Sequence, residues 1–247
     1  MIEVYLDVAR SGRVMAHVLE PPGLGVRFES RAALEAELGR CIEEHLAWLS
    51  RHGESVPPPA PFRVVEEVWV SGNFESGDDV GFYTPDAVPI TPEETERYLR
   101  IGAWAHQDLK ELIAPLPAGV LDWKRDARTR SIRDIALHVA RAELWYMTRI
   151  VDAPEKEGLP PLISRADAWV DAHPEMVGEC LDVVWEAFQE FARTLPPEWR
   201  SRVVIPGWYA SIPERWTARK MLRRCIEHCR EHTHNIRCIL AAREERN

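Results

Sequence analysis

Two histidines one helical turn apart, His228 and His232, have the clearest potential for chemistry in this sequence. In an α-helix a four-residue step rises about 6 Å and turns about 400°, so both imidazoles lie on one face and can bind one metal ion. A third histidine, His138, lies in another amphipathic segment. If it joined the pair from a neighbouring helix, the three would leave a coordination position open, as a catalytic metal requires.

A helical wheel separates the histidines of the closing segment by their surroundings. His232 falls inside the apolar face and His228 at its edge, whereas His234 falls on the opposite side, which we expect to face water. Three charged residues share that opposite side: Lys220, Arg223 and Glu227. A lone histidine such as His138 on an apolar face is more often a hydrogen-bonded core residue, but three inward imidazoles without a common partner would be costly to desolvate. We therefore take His138, His228 and His232 as candidate metal ligands.

A rival set of ligands lies along the same segment. Cys225, His228, Cys229 and His232 form a stripe with helical spacing, and soft thiolates would favour a closed structural zinc site. One straight helix cannot wrap four ligands around one ion. The simpler interpretation is that both cysteines are small packing residues.

Length and composition limit the class of protein. The 247 residues allow one large domain or two modest ones, and a net charge of −9 argues against a general nucleic-acid binder. We expect no membrane segment, because no run of about 18 apolar residues occurs. The N-terminus lacks the features of a signal peptide, and five scattered cysteines are typical of reduced thiols. These observations favour a cytoplasmic location.

Charge is distributed unevenly along the chain. Residues 61–97 carry nine acidic and two basic side chains, whereas residues 218–247 carry four acidic and eight basic ones. The basic closing segment is either a solvated outer face or a surface that helps to draw in an anionic substrate.

The first 72 residues predict a small βββαβ domain. Three β-rich stretches precede a helix that Ser30 caps, and a strand over 62–70 follows the proline-rich connector Pro57–Pro61. This part resembles the HicB antitoxin domain in the stretch Glu20–Gly25, in the helix after it and in the Val-Glu-Glu-Val of its last strand. The resemblance implies an accessory, interaction or dimerisation module over residues 1–72.

The rest of the chain is predicted to be helical after a linker over residues 73–91. Thr91, Pro92 and Glu94 have the pattern of a helix start. Helical periodicity predicts four long helices, at about 92–114, 131–151, 174–194 and 218–245. Four such helices joined by loops predict a four-helix bundle over 92–247, and with the N-terminal domain an α+β fold.

The helical part resembles the DinB/YfiT-like superfamily of metal-dependent enzymes. The resemblance rests on Ser131–His138 followed by Ala142–Tyr146, and on Trp216–Lys220 followed by His228–His232. It implies a four-helix bundle, often dimeric, that binds a divalent metal such as nickel, zinc or iron through three histidines. Those positions correspond to His138, His228 and His232, the same three that spacing selects.

Two functions are compatible with these patterns. The first is a metal-dependent transferase or hydrolase that activates a thiol or water. Proteins of the resembling superfamily include thiol transferases and mycothiol-dependent isomerases. The resemblance therefore implies a small-molecule substrate such as a low-molecular-weight thiol. The second is a non-catalytic regulatory or interaction protein, whose bundle is a sensor or homodimer scaffold.

Three residues are candidate proton shuttles: Glu143, His106 and Tyr146. Glu143 lies about 140° from His138 around the helix, a position that favours a surface or inter-helix hydrogen bond. Four tryptophans are candidate pocket residues: Trp104, Trp145, Trp208 and Trp216.

Overall fold

A computed structural model describes residues 1–58, 60–70, 74, 80–151, 158–206 and 214–244. Within these ranges the chain has an α+β fold, with a four-stranded sheet in its N-terminal part and seven α-helices. The predicted fold class is therefore confirmed. Residues 73 and 75–79 of the predicted linker lie outside the described ranges, and so does Trp208. No helix in these ranges combines the length and the apolar character that crossing a membrane requires.

The sheet has the strand order β3-β2-β1-β4. Strands β1 (Ile2–Ala9), β2 (Val14–Val18) and β3 (Leu24–Phe28) are antiparallel neighbours, whereas β4 (Phe62–Val70) runs parallel to β1. Parallel neighbours need a long crossover, and the helix between β3 and β4 supplies it. The predicted βββαβ order is the order observed.

Helix α1 (Arg31–Arg51) is that crossover. The hydroxyl of Ser30 accepts a hydrogen bond from the amide of Ala33 at 3.2 Å, which satisfies one of the free donors at the helix start. Its buried residues recur with helical spacing, and most of them pack on the sheet to form the smaller apolar core. The buried residues are Leu34, Leu38, Ile42, His45, Leu46, Trp48 and Leu49.

Four long helices form the larger apolar core, in which α2, α4, α6 and α7 pack against one another. Their bounds are Pro92–Ile113, Ile132–Val151, Val177–Thr194 and Ala218–Glu244, each close to the predicted range. Thr91 and Glu94 form the expected reciprocal cap of α2. Two further helices, α3 (Ala118–Leu121) and α5 (Pro161–Ala172), were not predicted. The paired Pro160 and Pro161 indicate a loop in the sequence, although a proline at the first helical position is compatible with α5.

The first half of α7 corrects one expectation. Lys220, Arg223 and Glu227, predicted to face water, are fully buried. The sheet and the segment 80–86 cover this side of the helix with complementary polar groups, so its charges do not form a solvated outer face. His234, further along the helix, is exposed as predicted.

The turn before β3 lies directly on α7. Gly23 has φ +113°, and a Cβ atom added there would come within 2.8 Å of Cγ2 of Ile226. At Gly25 an added Cβ would lie 3.3 Å from Cβ of Glu227. Glycine at these positions therefore lets the backbone of the sheet approach the helix closely.

Candidate metal centre

The three predicted ligands come from two helices that pack side by side. His138 lies near the middle of α4, and α7 carries His228 and His232 one turn apart. At the start of α4, Ser131 and Asp134 each accept a hydrogen bond from the other's amide, at 3.1 and 3.0 Å. This capping box satisfies two donors at the helix start and fixes where α4 begins.

The structure brings the three imidazoles together. Nε2 of His228 lies 3.2 Å from Nε2 of His138 and 3.0 Å from Nε2 of His232. One ligand atom from each residue lies within 4.8 Å of the other two. Nitrogen ligands about 2.0–2.1 Å from a tetrahedral zinc ion are about 3.3 Å apart, so the spacing is close to that of one face of such a site.

The hydrogen-bonding capacity of the cluster is not satisfied internally. Nε2 of His228 faces two other ring nitrogens, and one ring nitrogen holds one proton, which can serve only one of these contacts. Burial lowers the pKa of His138 and of His232 to about 4, and that of His228 well below its ordinary value. The imidazoles are thus neutral at pH 7, in the form that ligates metals, and their lone pairs converge as a cation would require.

One feature of the cluster differs from a complete metal site. A ligating histidine usually donates its second ring N–H to a carbonyl, a carboxylate or water. Nδ1 of His228 is buried and has no hydrogen-bond partner among the residues that the structure describes.

A cleft of about 980 Å³ opens in front of the imidazoles. Strand β3 and helix α1 form one wall, and α4 and α7 form the other, so the N-terminal part narrows access to the cluster. Six arginines and three glutamates line it: Arg27, Arg40, Arg130, Arg141, Arg224, Arg230, Glu37, Glu44 and Glu231. Four of the arginines form ion pairs with acids, so the formal excess of positive charge is partly neutralised. The pairs are Arg27–Glu231, Arg40–Glu44, Arg141–Asp171 and Arg224–Glu227.

Tyr146 and Arg224 lie beside the histidine cluster. The ring of Tyr146 is 5.9 Å from that of His228, and the guanidinium of Arg224 is close enough to oppose the rise in the pKa of its hydroxyl. Burial raises the pKa of Tyr146, so the hydroxyl stays protonated at neutral pH. Sequence reasoning missed Arg224, although its position four residues before His228 places both on one helix face.

Glu143 and His106 lie away from this cluster. Nε2 of His106 contacts Oε1 of Glu143 at 2.7 Å, and both side chains are buried. The expected inter-helix hydrogen bond is therefore confirmed, whereas a surface position for Glu143 was wrong. Both residues group with Cys225, apart from the three-histidine cluster.

The remaining candidates occupy other surroundings. Cys225 and Cys229 lie in the larger apolar core, and within the described chain they do not join His228 and His232 in a common ligand group. Among the tryptophans, Trp145 lines the cleft, whereas Trp104 stacks on His52 with ring centroids 5.0 Å apart. Trp216 is buried behind Trp145, at 5.4 Å.

The family model of the DinB superfamily matches residues 103–236, which is more than half of the chain. The matched stretch holds all three histidines of the cluster and excludes the sheet. No curated protein and no solved structure matches the chain.

Proposed function

The chain belongs to the DinB superfamily, and we propose that it is a divalent-metal-dependent enzyme whose ion is held by His138, His228 and His232. One observation carries the proposal: three neutral imidazoles present their Nε2 atoms to one point, with contacts of 3.0 and 3.2 Å that their own protons cannot all satisfy. A cation at that point would be shared by all three lone pairs. The four-helix bundle implied for this family stays a prediction.

The chemistry follows from the open side of the cluster, which faces the cleft. A divalent ion held there would act as a Lewis acid and lower the pKa of a thiol or water placed in its free position. Imidazole ligands suit nickel, zinc and iron, so the ligand set does not select among them. A transferase using a low-molecular-weight thiol, or a hydrolase using water, is consistent with this arrangement.

The surrounding residues would bind and orient the substrate. Tyr146 keeps its proton at neutral pH, so its hydroxyl can donate a hydrogen bond to a group next to the cluster. The arginines of the cleft favour a substrate with a carboxylate or another anionic group. Two of these arginines, Arg224 and Arg230, belong to the basic closing segment, which supports the second of the two interpretations of that segment.

The test is metal content and activity of a single-ligand variant. We expect His228→Ala to lose one equivalent of divalent metal relative to the wild type and to lose thiol-transfer or hydrolytic activity in a panel of small electrophiles. His234→Ala is the matched control for metal content, since this imidazole is exposed on the same helix and does not join the three histidines, although it lines the same cleft. Equal metal content in His228→Ala and the wild type would overturn the assignment of the ligands.

The alternative is a non-catalytic scaffold or sensor, and metal removal separates the two. A scaffold keeps its fold and partner when the metal is stripped and shows no turnover when it is restored. An enzyme loses turnover on stripping and regains it on reloading. Homodimer formation and the cytoplasmic location remain predictions.

A further inference from the structure

A second cluster of metal-ligating side chains lies in the core of the helical part. His106 of α2, Glu143 of α4 and Cys225 of α7 are buried, and one ligand atom from each lies within 4.8 Å of the other two. None of the three lines the cleft in front of the histidine cluster. The two clusters are therefore separate, one open to a cleft and one enclosed.

The enclosed cluster contains polar atoms without partners. Oε2 of Glu143 and Nδ1 of His106 make no hydrogen bond of ordinary geometry within the described part of the chain. The thiol of Cys225 is a weak donor to Glu143. The ion-pair partner of Glu143 among the described residues is His106, at 2.7 Å, which compensates the carboxylate only when its imidazole is protonated. The ring of Trp185 covers His106 with centroids 4.4 Å apart, which keeps water from that face.

We propose that His106, Glu143 and Cys225 form a second, enclosed cation site for a borderline-soft divalent ion such as zinc. A carboxylate buried with incomplete hydrogen bonding is costly unless a positive charge compensates it. A donor set of one sulfur, one nitrogen and one carboxylate favours zinc or cobalt over magnesium or calcium, which prefer oxygen ligands. Oε2 of Glu143 is free to bind the ion, whereas Oε1 already contacts Nε2 of His106.

Binding there would couple three helices. The ligands come from α2, α4 and α7, so the ion would link the two helices that carry the histidine cluster to a third. Burial and the charge of Glu143 raise the pKa of the Cys225 thiol well above its ordinary value in the absence of a cation. The ion would displace that proton, and the thiolate would become its ligand.

The experiment uses cobalt as a spectroscopic substitute for zinc. The full-length protein is purified from cells grown with cobalt, so that the ion can enter during folding, and near-ultraviolet absorption reports a thiolate-to-cobalt charge-transfer band. We expect two ions per chain and this band in the wild type. Cys225→Ser should hold one ion and lose the band. His228→Ala should also hold one ion but keep the band, because its loss empties only the other cluster.

Cys180→Ser is the matched control, since Cys180 is also buried in the helical core but belongs to neither cluster. A wild type without the band, or a Cys225→Ser variant that keeps it, would overturn the second site. If Cys225→Ser fails to fold, the band in folded His228→Ala still decides the matter. Failure of the histidine cluster alone would appear as unchanged metal content in His228→Ala, with the thiolate band intact, so the two proposals fail separately.

Discussion

Two buried polar clusters meet on helix α7 at consecutive residues, and they differ in how their hydrogen bonds are satisfied. Glu227 accepts from Nδ1 of His17 at 3.1 Å, from Arg223 at 3.2 Å and from Arg224 at 2.7 Å. His228, the next residue, faces two other imidazoles whose ring nitrogens are also lone-pair carriers. Around Glu227, carboxylates face hydrogen-bond donors, whereas in the histidine cluster ring nitrogens with lone pairs face one another.

The acid–base cluster continues from α7 into the sheet and the segment before α2. Nε2 of His17 contacts Asp7 at 3.2 Å, and Asp7 also accepts from the Tyr83 hydroxyl at 2.5 Å. Arg223 donates twice to Asp86, at 2.7 Å each. Every acid in this network faces several donors, so its carboxylates need no ligand, although Nε of Arg224 has no hydrogen-bond partner among the described residues. The network therefore acts as structure. The histidine cluster lacks such donors, and this difference supports the proposal that it is the binding site.

The largest expected effect comes from breaking the complete network. Arg223→Met would leave Asp86 buried without its side-chain donor and would remove one of the three donors to Glu227, and we expect it to lower the free energy of unfolding by about 3–5 kcal/mol. Urea denaturation of metal-free protein measures it. The exposed pair Arg40–Glu44 is the control, and Arg40→Met should change the same quantity by less than about 0.5 kcal/mol. A similar small loss for both variants would show that the network is not structural.

The incomplete cluster should respond to metal instead. An ion that binds only the folded state raises the free energy of unfolding by about 2.7 kcal/mol when its free concentration is 100 times its Kd. We expect this gain for the wild type and for His234→Ala, and a clear reduction for His228→Ala. Thermal or urea unfolding with and without zinc or nickel provides the measurement, and an undiminished gain in His228→Ala would remove the contrast between the clusters.

A smaller effect tests the charge of His17. Burial disfavours its imidazolium, but Glu227 and Asp7 outweigh that and raise the pKa of His17 above its ordinary value. The stabilisation from its charge is therefore complete below about pH 6.5 and is lost as the pH rises through the raised pKa. We expect the difference in unfolding free energy between wild type and His17→Gln to shrink between pH 6 and pH 9, by about 1 kcal/mol or more.

The lowered pKa values of the three clustered imidazoles act in the opposite direction. Those groups are neutral when folded, so they destabilise the folded state below about pH 6.5, where the unfolded chain binds protons. Wild type and His17→Gln share that contribution, so it cancels in the difference between their free energies of unfolding. A difference that stays constant or grows towards pH 9 would contradict a charged His17.

Periodicity predicted much of this architecture because it reports which side of an element is apolar. It placed His232 inward and His234 outward on α7, and the structure agrees. It failed at Arg223 and Glu227, because a charged face that another element covers with complementary charges looks like a solvated face in the sequence. Glu143 shows the same limit, since its rotation away from His138 was correct but the side chain faces His106 rather than water.

The meeting of His138 with the pair on α7 could be anticipated only from spacing and family resemblance. A local sequence pattern does not indicate how two packed helices are rotated relative to each other. The enclosed group of His106, Glu143 and Cys225 is even harder to predict from the sequence. Its members are far apart in sequence, and each has an ordinary structural explanation by itself. Long-range partners of this kind are set by packing, which a single sequence does not display.

The adjacency of Glu227 and His228 also constrains how the chain can change over evolution. Insertion or deletion of one residue between them would rotate everything beyond that point by about 100° around the helix axis. Either the docking of the sheet or the convergence of the imidazoles would then be lost. Point substitutions can alter each cluster separately, but the number of residues between Arg223 and His232 is expected to be invariant among functional descendants.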